Sequence, residues 1–190
     1  MGYSRAKMAD YLGDKTPRFR GRLSFNPLDH IDPIGFLMIV LIGFGWSKPM
    51  ETNPSAYKRG YKDAYKVAIA PIIAMLLTGF VASLVLAALL RFGYFLTYNS
   101  FYGILINIIK GIISVNISLS VFHLIPLPGL SGFEILKALK PKFVYEYGDY
   151  FYRYQTLFLI AIIFAGQGIL TIPVRAITSL FLNIASMIFF

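Results

Sequence analysis

The sequence predicts an all-α membrane protein of about three to four transmembrane helices, with a short re-entrant or hairpin element near residues 33–46. Hydrophobic residues make up 57% of the 190-residue chain and charged residues only 14%, and the mean hydropathy is +0.65. Uncharged runs also recur at the length a bilayer demands. The chain has no cysteine, which excludes disulfides, thiolate metal sites and thiol redox chemistry. A formal net charge of +9 in a membrane chain marks loops held on the cytoplasmic side, where anionic lipid attracts them. The basic residues show neither a helix-in-groove pattern nor an aromatic platform, so no nucleic-acid partner is expected. The expected partners are the lipid bilayer and other transmembrane proteins or subunits. No cleavable signal peptide is expected, because the first apolar run follows a polar, basic N-terminal region.

Residues 1–32 carry Arg5, Lys7, Lys15, Arg18, Arg20 and Arg22 and are expected at the surface, with Lys7 to Leu12 ending a helix closed by Gly13. Pro33 to Trp46 is apolar but shorter than the roughly 20 residues a spanning helix needs. Interrupted by Gly35, Gly43 and Gly45, it reads as a membrane-embedded hairpin. Ser47 to Lys66 is polar and basic, broken by Pro49 and Pro54, and reads as a cytoplasmic loop leading into a helix. Residues 67–90 form the first span, with Ala74, Gly79, Ala82 and Ala87 small enough to let a neighbour approach. Residues 101–127 form the second, where Gly103 and Gly111 offer further close contacts. Lys110 either snorkels to the interface or faces a polar interior, and snorkelling is the default. Pro141 to Arg153 has the tyrosine-rich composition of an interfacial belt. Residues 156–171 form a third span, and 177–190 a possible fourth beyond Pro173. The whole chain, 1–190, reads as a single integral membrane domain. Of the 18 basic residues, 11 precede residue 67 and four lie from Lys137 to Arg153. The N-terminal region and the 128–154 loop are therefore expected to be cytoplasmic, with the Arg91 to Ser100 turn on the other side.

Several blocks occur in a telling order: Leu12-Gly13-Asp14, Gly21-Arg22-Leu23-Ser24-Phe25-Asn26-Pro27-Leu28, Asp29-His30-Ile31-Asp32-Pro33-Ile34-Gly35, Gly43-Phe44-Gly45-Trp46-Ser47-Lys48-Pro49 and Leu124-Ile125-Pro126-Leu127-Pro128-Gly129-Leu130-Ser131-Gly132. Together they resemble the framework of the site-2 proteases, intramembrane zinc metallopeptidases. That family bears H-E-x-x-H on a helix, where histidines four apart hold zinc from one face and the glutamate activates the metal-bound water. Counting back from Leu12-Gly13-Asp14, Met1 and Arg5 stand where the histidines belong and Gly2 where the glutamate belongs. Ser131 replaces the third ligand, the aspartate of L-D-G. In the block corresponding to A-G-P-x-x-N, Ala70-Pro71-Ile72-Ile73-Ala74 lacks the glycine, and Ala74 replaces the asparagine. His123 stands where the asparagine opening the last loop belongs. Arg5 would repel zinc and a neutral Ser131 hydroxyl is a poor ligand.

The two histidines offer another metal site in principle. His30 sits beside Asp29 and Asp32, and His123 lies eight residues before Ser131. The default for His30 is a structural hydrogen bond, and for His123 satisfaction by a backbone carbonyl. Glu134 is expected to cap or pair locally. No other enzyme constellation is present: there is no G-x-S-x-G elbow, no phosphate-cradling glycine loop and no carboxylate pair within a span.

The resemblance therefore implies a catalytically inactive site-2 protease-like membrane protein that binds other membrane proteins or serves as a subunit of a membrane complex, with no catalytic residues and no cofactor. The expected cleft is lined by the 33–46 element and the Pro126 to Gly132 loop, with His30, Asp32, Trp46, Pro126, Pro128 and Leu130 as candidate binding residues. The alternative is a fragment or divergent form of an active intramembrane zinc metallopeptidase performing regulated proteolysis, for which zinc would be the cofactor.

Overall fold

A computed structural model describes residues 1–42, 47–93 and 100–190. Among them the regular elements are helical: α1 (Gly2–Leu12), α2 (Thr16–Phe19), α3 (Pro33–Ile42), α4 (Ala64–Phe92), α5 (Ser100–His123), α6 (Ser131–Leu139) and α7 (Pro141–Phe189), with short 3-10 turns at Pro27–Asp29, Pro54–Ala56 and Gly60–Asp63. Three segments are long and apolar enough to cross a membrane: Gly60–Phe92, Phe101–His123 and Leu170–Phe189. The chain is an all-α integral membrane protein. Helix α4 is its centre, contacted by α1, α5, α6 and α7.

The α4/α5 contact follows from helical periodicity. Tyr102, Ile106, Ile109, Ile113 and Ile117 recur every three or four residues and form one buried stripe with Leu86, against which Val174, Ile177 and Phe181 of α7 also pack. The opposite stripe of α5, Ile104, Ile108, Ile112, Val115 and Leu119, is exposed and suits lipid. Gly79 brings the helices together as expected: a Cβ there would lie 3.3 Å from Cγ1 of Ile117. The close contacts expected at Gly103 and Gly111 do not form, since nothing lies within 4 Å of a Cβ built at either. Lys110 is exposed, as snorkelling requires.

The N-terminal region is not simply a surface segment. Ala6, Ala9 and Leu12 of α1 are buried, because α1 lies along α4. Helix α1 ends as its sequence dictates. Gly13 adopts φ +117°, its N–H donates to the Asp10 carbonyl, and the Asp14 N–H reaches back to Ala9, the paired closure that glycine permits.

The 33–46 segment forms α3 over its described part, and its ends meet. Ile31 and Ser47 form an antiparallel bridge, and the Lys48 N–H donates to the His30 carbonyl at 3.0 Å. The residues that flank the segment, 30–31 and 47–48, thus lie side by side. Helix α3 exposes Ile34, Phe36, Leu37, Val40 and Leu41.

Three expected boundaries move. Helix α5 ends at His123, short of residue 127, because Pro126 and Pro128 lack N–H groups and disfavour helix in the residues before them. The expected 128–154 loop instead holds α6 and the first turns of α7. No turn separates 156–171 from 177–190: α7 runs 49 residues without a break and carries Pro173 inside it. Among the described residues, the part of this rod that is long and apolar enough to cross a membrane is Leu170–Phe189.

Candidate functional site

The framework blocks fold into a hydrogen-bonded base. Asp14 is 1% exposed and accepts from the N–H groups of Thr16 at 2.9 Å and Asn53 at 2.7 Å. The Lys58 N–H donates to the Leu12 carbonyl at 2.8 Å, so the L-G-D turn clasps the distant 53–58 segment. Arg22, also buried, donates from its guanidinium to the Asp29 and Pro49 carbonyls and joins two more blocks. Asn26 caps the Pro27–Asp29 turn through the Leu28 N–H at 3.2 Å. Asp32, expected in the cleft, caps the start of α3 by accepting from the Gly35 N–H at 2.8 Å.

His30 lies against α1. Its Nε2 is 2.9 Å from the Ser24 carbonyl oxygen, the structural bond expected of it. A Cβ at Gly2 would stand 2.7 Å from His30 Nδ1. Any side chain at position 2, where the family has its glutamate, would have to displace that ring. Met1 is 43% exposed at the start of the same helix.

The remaining candidate positions lie on α1, at the end of α5 and at the start of α6. Gly132 packs so closely on the Leu124 and Ile125 carbonyls that a Cβ there would collide with both, which fixes Ser131 beside the residues that follow His123. Arg5 lies within electrostatic range of His123. Both Arg5 and Glu134 act on Tyr57, whose hydroxyl is pushed up from its ordinary value chiefly by burial. Arg5 Nε, His123 Nδ1 and Ser131 Oγ are all buried without a hydrogen-bond partner. The backbone bond expected for His123 is therefore absent at Nδ1. Glu134 pairs with Lys137 at 3.2 Å, the local role expected of it. Ala74 lines an apolar groove between α1 and α4 with Tyr3, Met8, Ala70 and Leu77.

Of the cleft candidates, Pro128 is buried, Leu130 half-buried and Pro126 exposed. Leu130 immediately precedes α6, at its N-cap position. Trp46 lies outside the described residues. The structure thus brings His30 to α1, and Pro128 and Leu130 to the start of α6. Among the described residues, α3 has no extended packing against another helix. Sequence reasoning missed the structural tasks of Asp14 and Arg22 and the contact between Gly2 and His30. The longest of these links join positions 27 to 39 residues apart, and no local periodicity signals them.

Zinc does not fit the side chains at these positions. A guanidinium stays protonated and has no lone pair to give, a glycine offers no side chain, and a serine hydroxyl is a weak neutral donor. Among the described residues, no three His, Cys, Asp or Glu side chains gather as a metal-holding group.

No family model matches the chain. No solved structure matches it either. A protein of Bacillus subtilis (strain 168) named "Putative zinc metalloprotease YwhC" is 32% identical over 144 residues, covering 73% of this chain and 63% of that protein. The chain thus spans less than two thirds of the curated relative it matches. This similarity to a protein named as a zinc metalloprotease, in a chain with three candidate membrane spans, supports a site-2 protease-like relationship.

Proposed function

We propose that the chain is a catalytically inactive site-2 protease-like membrane protein that binds other membrane proteins or serves as a subunit of a membrane complex. One observation carries this reading: the positions that would hold zinc and its base are occupied by Arg5, Gly2 and Ser131, and the polar atoms of Arg5 and Ser131 named above lack partners. The framework that shapes the region keeps its bonds through Asp14, Arg22 and Asp32. Retained shape with replaced chemistry fits binding without cleavage. The 33–46 hairpin and the 126–132 loop line the binding cleft in this reading, and the basic N-terminal region and residues 128–154 lie on the cytoplasmic side.

The test is purification of the full chain with its native membrane partners, followed by metal analysis and a peptidase assay on a transmembrane substrate. Stable co-purification of membrane proteins, without stoichiometric zinc or cleavage, is the expected result. Stoichiometric zinc that is lost on His30→Ala or His123→Ala would overturn it.

A second reading has its own support. The chain matches 63% of a relative named as a zinc metalloprotease, as a portion or divergent form of an active metallopeptidase would. Ser131 and Ala74 lie far along the sequence from the N-terminal helix, so residues added before α1 would restore neither. Cleavage by the purified chain would decide for this reading.

A further inference from the structure

The centre holds an imbalance that the proposed function does not resolve. Arg5 has no ion-pair partner among the described residues: the pairs formed there use Asp10, Glu51, Asp63 and Glu134, each with another cation. Its buried Nε can only donate. Ser131, 1% exposed, presents a hydroxyl with no partner, and His123 presents an unpartnered Nδ1. Helix α6 begins at Ser131, with Leu130 before it supplying no side-chain cap, and a helix start favours negative charge. Glu134, the acid in the first turn of α6, is held by Lys137 at 3.2 Å. A cation within electrostatic range of His123, and two buried polar groups left unpaired on either side of the Gly132 packing on Leu124 and Ile125, ask for an anion. His123 closes a membrane-spanning segment, which puts the centre at the depth where lipid phosphates lie.

We propose that Arg5, His123 and Ser131 form a binding site for a phosphate oxyanion at the edge of the bilayer, carried by a phospholipid headgroup or by free phosphate. The Arg5 guanidinium supplies the charge, Ser131 a hydroxyl donor and His123 a ring N–H. The site rests on the metal-free reading of the centre but not on the binding of other proteins. Its assay reads phosphate rather than zinc or peptide, so the two fail separately.

The experiment follows thermal unfolding of the full chain in maltoside micelles, which carry no phosphate, during titration with inorganic phosphate. A second arm repeats the titration with phosphatidic acid added to the micelles. A saturable rise in the unfolding midpoint is expected, with affinity falling roughly tenfold or more in Arg5→Gln and several-fold in Ser131→Ala. A response to phosphatidic acid alone assigns the headgroup as the source, and a response to inorganic phosphate assigns the free ion. Should Arg5→Gln not fold, Ser131→Ala carries the test, because it removes a hydroxyl that bonds nothing in the structure. No saturable response in either arm, an equal response in both variants, or stabilisation by zinc instead of phosphate would overturn the site.

Discussion

The base of the molecule and its centre treat buried polar groups in opposite ways. In the base, Asp14, Arg22, Asn26 and Asp32 each hold backbone groups from another part of the chain or cap a turn. In the centre, Arg5, His123 and Ser131 each leave a buried polar atom without a partner. A buried polar group without a partner costs about 1–3 kcal/mol, whereas a satisfied one stabilises by about 1 kcal/mol. The residues of the base therefore support the fold, while those of the centre burden it unless a ligand engages them. Two kinds of position thus stand side by side: a scaffold whose polar groups are satisfied and, in the function proposed above, a set of positions whose side chains do not suit a metal.

Substitutions can break or sharpen this contrast. The largest effect is expected at Gly132, which sits in the centre yet does the work of the base. Gly132→Ala drives a Cβ into two backbone carbonyls that cannot move aside cheaply, and a loss of about 4 kcal/mol or failure to fold is expected in detergent unfolding assays. If Gly132→Ala is tolerated, the centre does not keep the tight backbone described here. Asp14→Ala strands the Thr16 and Asn53 N–H groups and should cost about 2–3 kcal/mol by the same measurement. Ser131→Ala, equally buried, should raise stability by about 1 kcal/mol in phosphate-free micelles, because it removes a buried hydroxyl that has no partner. Equal losses at Asp14 and Ser131 would erase the distinction between the regions.

The smallest effect is a pH limb. Hydrogen bonding from Arg18, aided by Lys15, holds the Asp10 carboxyl below its ordinary range. An acid with a depressed folded pKa adds stability that is complete above about pH 4, the unfolded value, and is lost as pH falls through the folded one. Both cations are more than half exposed or nearly so, so the contribution is about 0.5 kcal/mol. Acid unfolding of Asp10→Asn should lack this limb.

What the sequence disclosed depended on the range of the interaction. Membrane spans were legible because hydropathy is summed over a local window, and the closure of α1 was legible because Gly13 carries its own conformational signal. The continuity of α7 through Pro173 was not, since a proline inside an apolar stretch marks a break as readily as a tolerated interruption. At the site, motif spacing gave an expectation of which residues stand at the ligand positions of the family the chain resembles. Their lack of partners could not be read that way, because satisfaction of Ser131 or His123 depends on how α5, α6 and α1 meet. The same limit hid Asp14 and Arg22, whose partners lie far along the chain.

Helix α7 has a mechanical consequence. Its 49 residues make a rod about 74 Å long at the usual rise, of which the hydrocarbon of a bilayer covers only about 30 Å. Wherever the bilayer sits along it, roughly 44 Å of the rod extends beyond the hydrocarbon, in one continuous helix with the stretch that packs on α4 and α5. A tilt of about 10° in that stretch, well within the range seen for membrane helices, would swing the far end, near Tyr145 and Tyr147, by roughly 8 Å. Small changes in how the spans pack would thus be read out as large displacements of a tyrosine-rich surface.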